Sequence, residues 1–217
     1  MPSNDPSAWT LSQRLDTGRG QIAWDSVGSG PPLVLVHGTP SRSVLWRNVA
    51  PLLAEQNTVY VFDLLGYGQS QRHVQQEVSI RVHGDVLSEL VQTWGLDKPA
   101  LVGHDIGGAA VLRAHLLHGT PARKIALVDA VVLRPWITAT TRHLKAHLDV
   151  YATMPTHIFR EISAAISAPP PHRRWHRRRL PPTSTSGRVH RGSSCGCAMF
   201  AASTSNTPPS SSHSSTP

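Results

Sequence analysis

A doubly wound, mostly parallel α/β sheet follows from three features of this 217-residue sequence. Short apolar runs recur at Leu33-Val34-Leu35-Val36, Thr58-Val59-Tyr60-Val61-Phe62, Pro99-Ala100-Leu101-Val102 and Ile125-Ala126-Leu127-Val128. Strands that are apolar on both sides of the pleat must be covered on both faces, as central parallel strands are. Stretches with helical spacing separate these runs, giving three strand–helix–strand units in a row, which imply a parallel sheet with helices on both sides. A chain of this length can bury a full core with a pocket in it.

The elements follow in order. Val27-Gly28-Ser29-Gly30-Pro31-Pro32 is turn chemistry before the first apolar strand. Ser43 to Glu55 carries Val44, Leu45, Val49, Leu52 and Leu53 near helical spacing, and strand character returns at Thr58. A second helix is predicted over Val78 to Trp94, with Val82, Val86, Leu90 and Val91 on one face, and a third over Ala109 to His118. Beyond Asp129 the pattern loosens. Pro135 and Trp136 open a segment in which Ile137, Leu144, Leu148 and Tyr151 line one side of a helix, and after Pro155 a second amphipathic stretch runs to Ile166. Three regions result: a core over residues 1–135, the beginning of a helical layer over 136–167, and a tail over 168–217.

The formal charge of +8 invites a nucleic-acid reading, so its position decides its meaning. Residues 1–161 hold 14 Lys or Arg against all 13 acids, while residues 162–217 hold 7 Arg and no acid. The body is nearly neutral, which argues against nucleic acid as a partner. Cys195 and Cys197 are too few for a disulfide framework or a zinc site, and no metal or cofactor is implied. The start lacks a basic, then apolar leader, and no apolar run is long enough to span a bilayer, so a cytoplasmic protein without membrane attachment is expected.

Gly103-His104-Asp105-Ile106-Gly107 lies where a buried strand meets a helix, and fits the strand–turn–helix elbow that exposes a nucleophile, with Asp105 in the nucleophile's place. The turn is tight enough to demand small neighbours, which Gly103 and Gly107 supply, and the helix N-terminus favours negative charge. A competing reading is an ordinary N-cap aspartate. His37-Gly38-Thr39-Pro40 follows the first apolar strand, the position of a loop that donates a backbone N–H to an oxyanion hole. Asp63-Leu64-Leu65-Gly66-Tyr67-Gly68-Gln69-Ser70 follows the next strand.

Together these motifs, with Leu45-Trp46-Arg47, resemble the α/β-hydrolase superfamily over about residues 20 to 165, and within it the aspartate-nucleophile branch of haloalkane dehalogenases, fluoroacetate dehalogenases and epoxide hydrolases. The resemblance implies an α/β-hydrolase sheet whose C-terminal strands are missing and whose helical cap is partial. It implies Asp105 as nucleophile and the backbone N–H groups of Thr39 and Ile106 as oxyanion hole, with His37, Gly38, Pro40, Asp63, Gly103, His104 and Gly107 as motif residues that shape the site. An Asp nucleophile narrows the substrate: attack on an ester would give an anhydride, whereas attack on saturated carbon gives a stable alkyl ester. A small molecule bearing halide or an epoxide oxygen fits. Ile106 departs from the branch, standing where haloalkane dehalogenases carry a halide-binding Trp and fluoroacetate dehalogenases an Arg. Tyr151 is the one candidate for the cap tyrosines of epoxide hydrolases.

The superfamily places its acid after the sixth strand or, more often, after the seventh. Asp129, at the sixth-strand exit, is the candidate, an ordinary loop carboxylate being the alternative. The histidine should follow the last strand. His172, His176, His190 and His213 are the late histidines, and all lie in Arg-, Pro- and Ser-rich sequence without strand or helical period. That tail reads as an RNA-binding arm, a flexible low-complexity segment or the product of a shifted reading frame, and its abrupt loss of acids and aliphatic pattern fits the third best. Little turnover and a tendency to aggregate are expected of such a chain. Two functions compete, a hydrolase acting through Asp105 and a non-catalytic binding protein that keeps the fold. Oligomeric state is left open.

Overall fold

The computed structural model describes residues 6–133 and 137–167 and the backbone of 201–202. Two compact units divide the chain, one over Met1–Leu133 with Gly196–Pro217 and one over Arg134–Cys195.

The first unit carries the sheet. Its strands are β1 (Gln13–Thr17), β2 (Gly20–Val27), β3 (Pro32–Val36), β4 (Thr58–Phe62), β5 (Ala100–Asp105) and β6 (Lys124–Ala130), with a two-residue strand β7 (Ala201–Ala202) on the last. Their order across the sheet is β1-β2-β4-β3-β5-β6-β7. The three inner pairings, β3 with β4, β3 with β5 and β5 with β6, are parallel, as the sequence predicts. β1 with β2 and β2 with β4 are antiparallel, as is β6 with β7.

Both faces of the inner strands are covered. Val34 and Val36 face a cluster with Ile22, Phe62, Leu64, Val86, Leu90, Leu101 and Val111, which joins the sheet to α2 (Ile80–Thr93) and α3 (Ile106–His118). Leu33 and Leu35 face the other way, against Trp9, Ala23, Trp46, Val59 and Val61. Successive strand residues point to opposite faces, so a continuous apolar run fills two cores at once.

Three differences from the sequence reading have physical causes. The first two strands were not anticipated, because Gln13-Arg14-Leu15-Asp16-Thr17 is half polar and lies at the sheet's edge, where one face meets water. The helix expected from Ser43 to Glu55 is a 3-10 turn, Ser43–Trp46, and a single turn α1, Ala50–Leu53. Pro51 has no N–H to donate and is tolerated only in a first turn, which divides the segment. β6 is less buried than its apolar sequence suggests, Val128 being 39% exposed, since β7 pairs only with Ile125 and Ala126.

The second unit holds α4 (Ala139–Ala146), α5 (Leu148–Ala152) and α6 (Thr156–Ser167). Thr138 caps α4 by accepting from the Thr141 N–H at 3.1 Å. Neither α4 nor α5 has a buried residue, and Leu148, Val150, Ile158 and Phe159 are exposed. His172, His176, His190, His213 and both cysteines lie outside the described residues.

Candidate active site

β5 ends on Asp105 and α3 begins on Ile106, so Asp105 itself makes the reversal, at φ 50 and ψ −124. That is the left-handed half of the map, costly for a residue with a Cβ. Three glycines make room. A Cβ on Gly103 would come within 2.6 Å of the Gly107 carbonyl oxygen and the Gly108 nitrogen; one on Gly107 would strike the carbonyl oxygens of His37 and Val36. A Cβ on Gly38 would lie 2.7 Å from Asp105 Oδ2 and 2.7 Å from the His104 carbonyl oxygen. The spacing of glycines in the two motifs therefore reflects one contact between two loops.

An ordinary N-cap aspartate sits in extended backbone and accepts from its own helix. Asp105 does neither: its side chain makes no cap hydrogen bond. Its Oδ2 accepts instead from the backbone N–H of Thr39, at 2.8 Å. Ile106, the first residue of α3, has no intrahelical carbonyl for its N–H, while its side chain packs on the core. The Thr39 N–H thus meets the Asp105 carboxylate directly, while Ile106 follows it in the chain, and the half-buried carboxylate stands beside a strained turn at a helix N-terminus, where negative charge is favoured.

Asp129 is brought to the same place through the backbone. The β5–β6 register shifts between His104, opposite Val128, and Asp105, opposite Ala130, which leaves Asp129 as the extra residue of a bulge, at φ 43. The Val131 N–H donates to the Asp105 carbonyl at 3.0 Å just beyond it. The Asp129 carboxylate is exposed, and among the described residues nothing hydrogen-bonds it.

The remaining motif residues are structural by their contacts. His37 is fully buried; its Nε2 accepts from the Leu64 N–H at 2.9 Å and its Nδ1 lies 3.0 Å from the Gly38 carbonyl, which fixes the Nδ1–H tautomer. Burial pushes its imidazole below the usual histidine range, the Gly38 bond and the Asp63 and Asp105 carboxylates opposing. A neutral ring with both nitrogens engaged is a brace between loops. Asp63, also fully buried, accepts from the Ser43 N–H through Oδ1 and the Gln69 N–H through Oδ2, each at 2.7 Å. His104 is half-buried, its ring set edge-on to Trp46 at 6.5 Å. Pro40 and Tyr67 line an open cleft of about 680 Å³ that also includes Trp9, Arg42 and Arg72.

Among the described residues no histidine hydrogen-bonds Asp105 or Asp129. His115 bonds the Thr120 carbonyl, His118 pairs with Asp85 at 3.0 Å, and His143 lies tilted against His147, ring centroids 4.6 Å apart. Nor do any three His, Cys, Asp or Glu among them come together as a metal site. No described helix is long and apolar enough to cross a membrane. Tyr67 is the residue that motif reading passed over. Its hydroxyl lies 2.7 Å from Thr39 Oγ1, a contact between residues 28 apart that only the fold reveals.

The family model for the alpha/beta hydrolase fold matches residues 31–154. The chain is 40% identical over 108 residues to a fluoroacetate dehalogenase from Burkholderia sp., a match covering 48% of this chain and 36% of that protein. It is 46% identical over 84 residues to a soluble epoxide hydrolase from Corynebacterium sp. (strain C12), covering 39% and 29% respectively. These matches thus span well under half the length of either relative. Among solved structures, an alpha/beta hydrolase fold protein from Burkholderia ambifaria is similar with a TM-score of 0.70 and 37% identity, covering 73% of this chain and 58% of that one. With the elbow, the loop that meets it and the strand order all in agreement, this chain belongs to the alpha/beta hydrolase fold family.

Proposed function

We propose that this chain carries the nucleophile of a hydrolase that forms a covalent alkyl ester on Asp105, with a haloalkane, haloacid or epoxide as substrate. One observation carries the reading: the Asp105 carboxylate stands at a strained turn and takes its hydrogen bond from the Thr39 loop, 2.8 Å away, rather than from its own helix. The relatives named a fluoroacetate dehalogenase and an epoxide hydrolase support the substrate class.

In the first step an Asp105 oxygen donates an electron pair to a saturated carbon as the carbon–halogen or carbon–oxygen bond breaks, and those electrons leave with the halide or epoxide oxygen. With Oδ2 held by Thr39, Oδ1 is the free attacking oxygen. In the second step water adds to the ester carbonyl, and the N–H groups of Thr39 and Ile106 receive the developing negative charge. Asp129 would orient the base for that step. Among the described residues no histidine meets Asp105 or Asp129, so the first step is the one assigned to named residues, and little turnover is the expectation tested below. Residues 1–135 would form the core, 136–167 the start of a cap and 168–217 the Arg-, Pro- and Ser-rich tail.

Intact-mass and peptide analysis of the purified chain after incubation with a 1-bromoalkane and with a 1,2-epoxyalkane tests this. An alkyl or hydroxyalkyl adduct on Asp105, absent in Asp105→Asn, is expected. Binding of both probes without an adduct would instead establish the non-catalytic reading, and an adduct that persists in Asp105→Asn would remove Asp105 as nucleophile.

A further inference from the structure

We infer that Tyr67 is a positioning residue, whose hydroxyl holds the Thr39 loop so that the Thr39 N–H fixes the Asp105 carboxylate in its attacking rotamer. The inference rests on Asp105 being the nucleophile for its catalytic meaning, but the tether itself is a structural claim that can be tested alone.

The chain of contacts is short. Tyr67 Oη and Thr39 Oγ1 are 2.7 Å apart, and the Thr39 N–H donates to Asp105 Oδ2 at 2.8 Å. Thr39 is exposed and follows Gly38, which has no side chain to pack. Among the described residues the bond to Tyr67 is the hydrogen bond made by the Thr39 side chain. Tyr67 can serve as an anchor because it is itself held. Its ring stands edge-on to His37 at 5.5 Å and tilted on His83 at 6.0 Å. Its backbone N–H donates to the Leu64 carbonyl at 2.9 Å, and its carbonyl accepts from the Ser70 N–H at 3.1 Å. Ser70 in turn donates to the Asp63 carbonyl at 2.6 Å and accepts from the Ala23 N–H, so the loop is tied into the sheet. A rigid loop thereby steadies an exposed one, and the exposed one steadies the nucleophile.

Fixing the carboxylate matters because an unrestrained Asp samples rotamers in which neither oxygen faces the substrate, and attack depends on alignment. The hydroxyl pair needs both partners, so removing either has the same effect as removing both.

Tyr67→Phe deletes the hydroxyl and keeps the ring on His37 and His83; Thr39→Val deletes the other partner; Thr39→Ser keeps it. The first readout is exchange of the Thr39 amide proton in the full chain by NMR, which reports the bond to Asp105 without any reaction. Tyr67→Phe and Thr39→Val should each speed that exchange by about tenfold, the loss of one hydrogen bond of ordinary strength. The second readout is the rate of Asp105 alkylation by the bromoalkane or epoxide. It should fall about tenfold in both variants and no further in the double variant, and be restored in Thr39→Ser. Unchanged Thr39 exchange in Tyr67→Phe, or single effects that multiply in the double variant, would overturn the inference. If exchange responds as expected while the parent chain forms no adduct, the tether stands and the assignment of Asp105 as nucleophile fails.

Discussion

Gly38→Ala puts the contact between the two loops to a quantitative test. The added Cβ would lie 2.7 Å from Asp105 Oδ2 and 2.7 Å from the His104 carbonyl oxygen. One neighbour is the candidate nucleophile, held by Thr39, and the other is backbone of the elbow, so neither can turn aside as a flexible chain end could. Relaxing these contacts to about 3.5 Å requires the Gly38–Thr39 segment to withdraw by roughly 0.8 Å. The Thr39 N–H to Oδ2 bond, now 2.8 Å, would then open beyond about 3.5 Å, where little hydrogen bonding is left. Overpacking of this kind costs about 1–3 kcal/mol in stability. A displacement near 1 Å in a reacting group costs up to about a hundredfold in rate, so adduct formation on Asp105 should slow by roughly tenfold to a hundredfold. Urea denaturation followed by circular dichroism measures the first quantity and intact-mass kinetics the second. Gly95→Ala separates them. Gly95 has φ 64 with nothing within 4 Å of a new Cβ, so that variant should lose about 1 kcal/mol to left-handed strain and keep the parent alkylation rate. Parent-like alkylation in Gly38→Ala, or an equal loss in Gly95→Ala, would refute the reasoning.

Asp63→Asn should destabilise the chain by about 2–5 kcal/mol in denaturant, because an amide can accept from only one of the two N–H groups that the buried Asp63 now serves. Asp129→Asn, at an exposed carboxylate with no partner among the described residues, should change stability by less than about 0.5 kcal/mol in the same experiment. Burial pushes the His83 imidazole down to about 4 from 6.5, the His37 ring nearby adding to the effect and the Val78 backbone opposing it. A lowered histidine value means that the unfolded chain binds the extra proton first. Stability should therefore be full above about pH 6.5 and fall through the window down to about 4, by up to roughly 3 kcal/mol. Equilibrium unfolding against pH checks this, and His83→Leu should flatten the slope. Leu116 and Leu117 on α3 are 69% and 66% exposed, so Leu116→Glu with Leu117→Glu should leave stability nearly unchanged. The double variant should self-associate less by light scattering, whereas unaltered association would locate the adhesive surface elsewhere.

Much of the candidate site is legible in residue order because its parts are local. A tight elbow needs small residues at fixed offsets, and Gly103 and Gly107 supply them on either side of Asp105. The loop at His37-Gly38-Thr39-Pro40 is equally local. The roles within these motifs were less legible. His37 stands in a loop beside the candidate nucleophile, yet both its nitrogens are committed to backbone groups. Asp63 is conspicuous as an acid after a strand, yet it is fully buried and spent on two amides. β1 is not legible in the sequence because a half-polar strand on a sheet edge carries little hydrophobic signal.

The sequence by itself determined the architecture of the inner sheet, since apolar runs of strand length separated by helical spacing admit one economical packing. It also determined which carboxylate stands at the turn. Only the tertiary structure decided what that carboxylate touches. The bond from Thr39 to Asp105 joins residues 66 apart, the Tyr67 hydroxyl reaches Thr39 across 28, and the bulge at Asp129 exists only in the register of β6 against β5. Hydrogen bonds are short and directional, so partners distant in the chain leave no periodic trace in it, whereas burial is a property of whole elements and writes its period into the sequence.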